Sequence, residues 1–281
     1  MSELLLPSSF PDELHELGEN TPASLRMHGR ADILDVRPRV AIVGTRRATT
    51  YGLRVTRELA SAFSRAGACV VSGMAIGIDG AAHRAALEAN GATIAVLGTG
   101  LNQVFPRAHR DLQRTIADRG LLLTELDDAD HGMRFTFLHR NRIIAALSSL
   151  TIVVEAPEKS GALDTAGHAL ALNRKVAAVP GPIDQPQSVG TNKLISDGAQ
   201  ILTSVEDALA FAGLTPPLRT PRVAPEGDEG RIWSALAHGA LDIDSLCHRS
   251  GIPAAQCLAA VTRLELAGAI ECALTGQIRR R

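Results

Sequence analysis

The chain of 281 residues reads as a doubly wound α/β protein with a mostly parallel sheet, followed by a small C-terminal winged-helix domain. Three observations predict this. Short apolar runs alternate with helical patterns from Val40 to Val179. Nearly every run ends in small, hydroxylated or basic residues. Beyond them, a proline-rich stretch precedes a tail with three helical patterns and a hairpin signal.

The elements follow in order. Val40–Val43, Ala68–Val71, Thr93–Leu97, Leu121–Leu123, Leu150–Val154 and Lys175–Val179 read as buried strands. Leu53–Ala66, Ile78–Asn90, Arg110–Asp118, Arg140–Leu147 and Ala162–Ala171 read as the helices between them. Continuous apolar strands with helical crossovers imply a parallel sheet covered on both faces. Residues 1–38 read as a short helical extension, with a pattern near Pro11–Glu19. Residues 39–213 form the α/β domain and 214–225 a Pro-rich linker, with Pro216, Pro217, Pro221 and Pro225. Residues 226–281 form the winged helix. Its helices are Gly230–His238, Ile243–His248 and Pro253–Ala267, and a hairpin turns at Thr275-Gly276.

Composition narrows the class. Net charge is −1, with 29 basic and 30 acidic side chains, so the overall balance does not mark a nucleic-acid binder. Local distribution says more: basic residues gather at Arg46-Arg47, at Arg107, Arg110 and Arg114, and at Arg140 and Arg142, and acids at Glu125, Asp127, Asp128 and Asp130, a pattern that by itself reads first as a mixed, solvated surface and second as a phosphate-binding patch. Lysine is confined to Lys159, Lys175 and Lys193, which leaves arginine as the main phosphate-holding side chain. No apolar run approaches the roughly 20 residues of a membrane span. The acidic N-terminus lacks a secretory pattern. The four cysteines show no CxxC pair, so the chain is expected to be cytoplasmic, reduced and free of structural metal.

In a doubly wound sheet, ligands bind beyond the carboxyl ends of the strands. The loops there are Gly44-Thr45-Arg46-Arg47, Ser72-Gly73-Met74-Ala75-Ile76-Gly77, Gly98-Thr99-Gly100, Ser160-Gly161 with Thr165, and Pro180-Gly181-Pro182 with Asn192-Lys193. The second opens a helix at Ile78, where outward N–H groups and the helix dipole favour an anion. Five such loops at one edge point to a phosphate-bearing ligand. The ligand is not NAD, because G-x-G-x-x-G is missing after the first strand, and G-x-x-x-x-G-K-[ST] is missing too. No histidine pair has a zinc spacing, and His83 and His168 read as core or surface residues. Glu155 and Asp164 could serve as an acid/base pair, but no activated nucleophile accompanies them. No cofactor is expected.

These motifs resemble the DNA-processing protein A (DprA/Smf) family. The matching stretches are VAIVGTR (Val40–Arg46), VSGMAIGID (Val71–Asp79), TIAVLGTGL (Thr93–Leu101), RNRII (Arg140–Ile144), VVEA (Val153–Ala156), SGALDTA (Ser160–Ala166) and GTNKLI (Gly190–Ile195). The resemblance implies an extended Rossmann-like domain that holds single-stranded DNA and forms a homodimer. It also implies a non-enzymatic mediator that protects incoming strands during natural transformation, with a role in DNA repair, and loads the recombinase RecA. Carried over, Arg46 contacts phosphates, and Ser72, Gly73 and Gly77 build the turn. Arg140 and Arg142 line the pocket, and Asn192 and Lys193 close it. Arg47, Arg107, Arg110, Ser160, Gly161 and Thr165 complete the candidate DNA-binding set. The chain departs from the family where Ile76 replaces an arginine, His109 replaces an asparagine and the Glu125–Asp130 acids replace a SEYPPG-like segment.

With aromatics at 3%, few bases can stack, and Tyr51, Phe105, Phe135 and Phe137 are the candidates. The winged helix has no lysine and a near-neutral charge. Two uses stay open for it: protein or dimer contact, and auxiliary contact to duplex DNA through Arg279–Arg281. A competing reading is a nucleotide phosphoribohydrolase-like enzyme with Glu155 as its acid, although the expected PGGxGTxxE motif is absent. A ligand-sensing transcription regulator is disfavoured by the weakly basic winged helix.

Overall fold

A computed structural model describes residues 2–215, 226–267, 269–273 and 276–280. The chain divides into two compact units, Met1–Pro217 and Leu218–Arg281. The prolines assigned to the linker lie outside the described residues, as do Thr275 of the hairpin turn and Arg281.

In the first unit the elements run β1 (Glu3–Leu5), α1 (Asp12–His15), β2 (Leu25–Gly29), β3 (Arg39–Val43), α2 (Thr50–Arg65), β4 (Cys69–Ser72), α3 (Ile78–Glu88) and β5 (Thr93–Val96). They continue with α4 (Arg110–Arg119), β6 (Leu121–Thr124), α5 (Arg134–His139), α6 (Asn141–Leu147) and β7 (Leu150–Val153). The last are α7 (Gly161–Ala171), β8 (Lys175–Ala178), α8 (Val189–Ser196), β9 (Gln200–Ile201) and α9 (Val205–Phe211). Among the described residues, nine strands form one sheet in the order β1-β2-β6-β5-β4-β3-β7-β8-β9. The seven from β6 across to the edge strand β9 are parallel, whereas β2 runs antiparallel to β6 and β1 antiparallel to β2.

Alternation along each strand divides the apolar residues between two faces. Ala41, Val43, Val71, Ile94, Val96 and Val153 pack with Leu14 of α1 and with Ile143, Ala146, Ala162 and Ala166 of α6 and α7. Val40, Ile42, Val70, Ile152 and Ala177 pack with Leu59 and Phe63 of α2, Ala82 and Ala86 of α3, and Leu209 of α9. Leu112 and Ile116 of α4 cover Ala95 and Leu122. This is the two-faced covering expected of a doubly wound, Rossmann-like sheet. The chain reverses its direction of growth between β3 and β7, the switch point where such sheets open a crevice.

Residues 1–38, expected as a helical extension, add two strands as well as short helical turns. The stretch Leu25–Gly29 has no β-branched residue, so its own pattern does not announce a strand. Its register with β6, Arg26 opposite Thr124 and His28 opposite Leu122, is set by the partner. Arg39 clamps this N-terminal segment at the amino end of the sheet. Fully buried, it donates to the carbonyls of Leu147 and Leu34 and forms an ion pair with Glu13 at 2.7 Å.

The second unit holds α10 (Gly227–Ala235), α11 (Ile243–Ser250), α12 (Ala254–Leu266) and the antiparallel pair β10 (Ile270–Cys272) and β11 (Ile278–Arg280). Ile232, Leu246, Val261, Leu264, Ile270 and Ile278 form its core. Three helices and a hairpin make a winged helix. Among the described residues, no helix is long and apolar enough to cross a membrane.

One buried histidine couples this core to pH. His83 of α3 sits in the first unit's core with its Nδ1 2.8 Å from Thr93 Oγ1, whose hydroxyl donates to the carbonyl of Val70 at 2.8 Å. The threonine proton is therefore committed, and Nδ1–H must be the donor to Thr93. Burial holds the imidazole neutral, pushing its pKa from near 6.5 down to about 3. The unfolded chain binds this proton and the folded chain does not, so stability falls with pH below about 6.5. This site should cost roughly 2 kcal/mol between pH 7 and pH 5. Urea denaturation of wild type and His83→Gln checks it: the variant should lose that part of the pH slope, and identical slopes would refute the assignment.

Candidate nucleic-acid interface

The switch point is built from turns that touch one another. Thr45, after β3, donates its N–H to the carbonyl of Glu155, after β7, at 2.7 Å. The buried Glu155 carboxylate accepts from Thr49 N at 2.9 Å and from the Thr49 hydroxyl. Thr49 Oγ1 in turn accepts from Gly52 N at 3.1 Å and so caps α2. Gly52 lies against the carboxylate, where a Cβ would collide with it. Glu155 thus locks the start of α2 to the sheet. Asp164 has partners of its own, Asn141 Nδ2 at 3.0 Å and His168 Nε2 at 3.6 Å. Both carboxylates of the hydrolase reading are held by local structural contacts.

The turn after β4 carries the main correction to the sequence reading. Its N–H groups were expected to face outward toward a phosphate. Instead Asp79, in the first turn of α3, folds its carboxylate back onto them. Oδ2 accepts from Gly73 N at 3.2 Å and from Ala75 N at 3.4 Å. The anion favoured at this helix N-terminus is one of the chain's own side chains. Burial raises the Asp79 pKa, and the charge of Arg140 opposes that rise.

Arg140 is the cation facing it. It is 6% exposed, and its Nε and Nη1 have no hydrogen-bond partner among the described residues. Its guanidinium lies on Gly73, where any Cβ would clash. Desolvation pulls its pKa down to about 10, Asp79 opposes the drop, and the nearby Arg46 adds to it. Arg46 itself is exposed, as is Arg47. Asp79 offsets the Arg140 charge without hydrogen-bonding its Nε or Nη1, so these N–H groups and the exposed Arg46 and Arg47 are what a bound anion would satisfy.

The remaining candidates fall into two groups. Arg107 and Arg110 are exposed at the start of α4. They are tied to the β4 turn through His109, whose Nδ1–H donates to the carbonyl of Met74 at 3.0 Å. The His109 ring also covers Gly80, so it fastens two loops where the family has an asparagine. Ser160 caps α7 by accepting from Ala162 N, and Gly161 beside it is exposed. Lys193 is exposed and paired with Asp197 at 2.5 Å. Arg107 and Arg110 follow β5, Ser160 and Gly161 follow β7, and Lys193 lies within α8 after β8.

Others are spent on structure. Arg142 is buried, with both Nη atoms 2.6 Å from Glu125 and Nε 2.9 Å from the carbonyl of Asn20. Its charge holds the N-terminal segment and does not line the crevice. Ser72 Oγ donates to the carbonyl of Ile42 at 2.7 Å, and Thr165 Oγ1 to that of Gly161 at 3.2 Å. Asn192 clasps Gly181, accepting from its N–H at 3.1 Å and donating to its carbonyl at 2.9 Å. Ile76, in place of the family arginine, is 50% exposed on the turn. In the winged helix, Arg279 pairs with Glu271 at 2.9 Å and Arg263 with Glu229 at 2.6 Å. Arg280 stacks on Trp233 at 4.4 Å and donates to its carbonyl.

Gly77 has φ +88° and lies on the carbonyl of Thr45, so it sets the close approach of the two turns. Gly77→Ala should therefore destabilise the fold by roughly 1–3 kcal/mol. Gly167, exposed in α7 with nothing within 4 Å, is the control. Its change to Ala should be neutral or stabilise by up to about 1 kcal/mol. Thermal denaturation of both variants checks this, and equal melting temperatures would refute it.

The family model "DNA recombination-mediator protein A" matches residues 4–213, and the "DprA winged helix domain" model matches residues 216–273. A DprA-type protein of Mycobacterium tuberculosis is 42% identical over 262 residues, spanning 90% of this chain and 67% of the relative. The DNA processing protein DprA of Streptococcus pneumoniae is 39% identical over 206 residues, 73% of this chain and 72% of the relative. The X-ray structure of S. pneumoniae DprA superposes with a TM-score of 0.71 at 38% identity, covering 74% of this chain and 73% of that one. A Helicobacter pylori DprA structure, described for its single-stranded DNA binding mode, gives 0.69 at 31% identity and covers 75% of this chain and 95% of that one. With the Gly-lined switch point, the two-faced sheet and the winged helix in the order both models require, the chain belongs to the DprA/Smf family of DNA recombination mediators.

Proposed function

We propose that this chain binds single-stranded DNA at the switch point, protects it, and hands it to the recombinase RecA as a homodimeric, cytoplasmic, non-enzymatic mediator in transformation and repair. The observation that carries the binding is the Arg140 guanidinium, whose Nε and Nη1 are buried and unpartnered beside Gly73, with the exposed Arg46 and Arg47 on the neighbouring turn. The strand's phosphates lie on Arg46, Arg47 and Arg140, with Arg107 and Arg110 extending the track on one side and Ser160, Gly161 and Lys193 bordering it on the other. The H. pylori relative, described as binding single-stranded DNA, supports the ligand class. RecA transfer and the homodimer rest on family membership.

The exposed aromatics after β5 and in α5 are the side chains on which bases would stack. Phe105 and Phe137 pack at 4.8 Å between ring centroids, and Phe105, Phe135 and Met133 are exposed. Such aromatics accept the π-face of any base, so binding depends weakly on sequence. Arg279 and Arg280 of the wing are engaged within their own domain. We read the winged helix as a protein-contact module, with duplex contact as the outcome the deletion below would reveal.

Fluorescence anisotropy with labelled oligonucleotides tests the reading. Wild type should bind single strands more tightly than duplex, with a log–log salt slope of roughly −0.7 per phosphate neutralised. Arg46→Ala should weaken binding and flatten the slope by about 0.7. Arg140→Lys keeps a charge opposite Asp79 but loses the planar fork, so it should bind several-fold more weakly while staying folded. Salt-independent binding, or no binding at low salt, would overturn the proposal. Removing residues 226–281 should leave strand affinity within about twofold, whereas a large loss would assign the winged helix to DNA.

A further inference from the structure

The loop after β8 presents an apolar side chain that the phosphate-binding reading leaves unused. Ile183 is 94% exposed, at the tip of Pro180-Gly181-Pro182-Ile183-Asp184-Gln185-Pro186. The tip is braced at both ends. Gln185 N donates to the carbonyl of Pro182 at 3.2 Å, and Ser188 N to that of Gln185 at 2.9 Å. Asn192 clasps Gly181, whose missing Cβ leaves room for the Ser188 side chain. The prolines at 180, 182 and 186 fix φ through the turn. A β-branched residue at such a tip has few rotamers to lose on contact.

The brace ends on the strand-binding residues. Tyr51, partly exposed, donates its hydroxyl to the carbonyl of Pro180 at 3.2 Å. Gln187 Nε2 donates to the carbonyl of Arg47 at 3.3 Å, and Ala156 N to that of Gln187 at 2.7 Å. Ile183 is therefore held on the same framework as Arg47 and Tyr51, on the β8 side of the crevice. Phe105 and Phe137 belong to the loop after β5 and to α5, on the other side.

We propose that Ile183 is an apolar wedge that packs against the bases of the bound single strand while Arg46 and Arg47 hold its phosphates. This rests on the proposed function above. The occupant that suits an aliphatic tip beside phosphate-binding arginines is a nucleobase face, as with the Ile, Leu or Met wedges that DNA-binding proteins insert between base steps. Bases splayed from a single strand offer that face, whereas stacked duplex bases offer it only after unstacking. Ile183 thus adds a preference for single strands that phosphate contacts alone cannot supply.

The test uses the full chain and two labelled oligonucleotides of equal length, one of mixed sequence and one abasic. Ile183→Ala should weaken binding to the base-bearing strand about five- to tenfold. It should leave the abasic strand and both salt slopes unchanged, with circular dichroism confirming the fold. Equal loss on both strands, or no loss on either, overturns the wedge while leaving the phosphate site intact. A wild type that binds neither strand overturns both readings. Lost self-association in sedimentation, with strand binding unchanged, would assign the tip to a second copy of this chain and also overturn the wedge.

Discussion

The candidate site depends on the Asp79 carboxylate, buried at the start of α3 and aimed back at the turn after β4. It occupies the Gly73 and Ala75 N–H groups that would otherwise attract a ligand anion. It also compensates Arg140, which would otherwise be an isolated buried cation. The turn is thereby fixed without a ligand, and in the proposed site anion recognition falls to guanidiniums instead of backbone amides. Guanidinium contacts of that kind tolerate what lies between successive phosphates. That suits a flexible polyanion better than a single nucleotide.

Around this centre the molecule keeps its arginines in separate roles. Arg39 closes the amino end of the sheet over Glu13, and Arg142 ties α6 to Glu125 and to Asn20. Both are buried and matched by carboxylates. Arg46, Arg47, Arg107 and Arg110 are exposed at the opposite, carboxyl end. A net charge near zero therefore coexists with exposed arginines at this edge, because the acids beside them, Asp79, Glu125 and Glu155, are engaged in contacts of their own.

Much of this was legible in residue patterns. The apolar runs from Val40 to Val179 located the six central strands that follow one another through helical crossovers. Their small-residue ends located the crevice. Less legible were β2 and β9. Leu25–Gly29 is a strand because β6 offers it hydrogen bonds, and Gln200–Ile201 because β8 does. RNRII is one motif in the chain, yet its two arginines part company. Arg140 faces the turn, and Arg142, two residues on in a helix, faces the opposite partner. Helical spacing predicts that divergence, but only the packed neighbours show which of the two is spent on Glu125.

The sequence by itself determined the alternation of strands and helices, the family, and the small and basic residue types at the carboxyl ends of the strands, because each is written in local periodicity and short motifs. The tertiary structure decided which charges are free. That depends on contacts between residues far apart in the chain, such as Glu155 with Thr49 and Arg26 with Asp127. It also decided that the anion at the α3 N-terminus is Asp79, since a carboxylate and a phosphate compete for the same N–H groups. Only the folded path of the backbone shows which of them arrives.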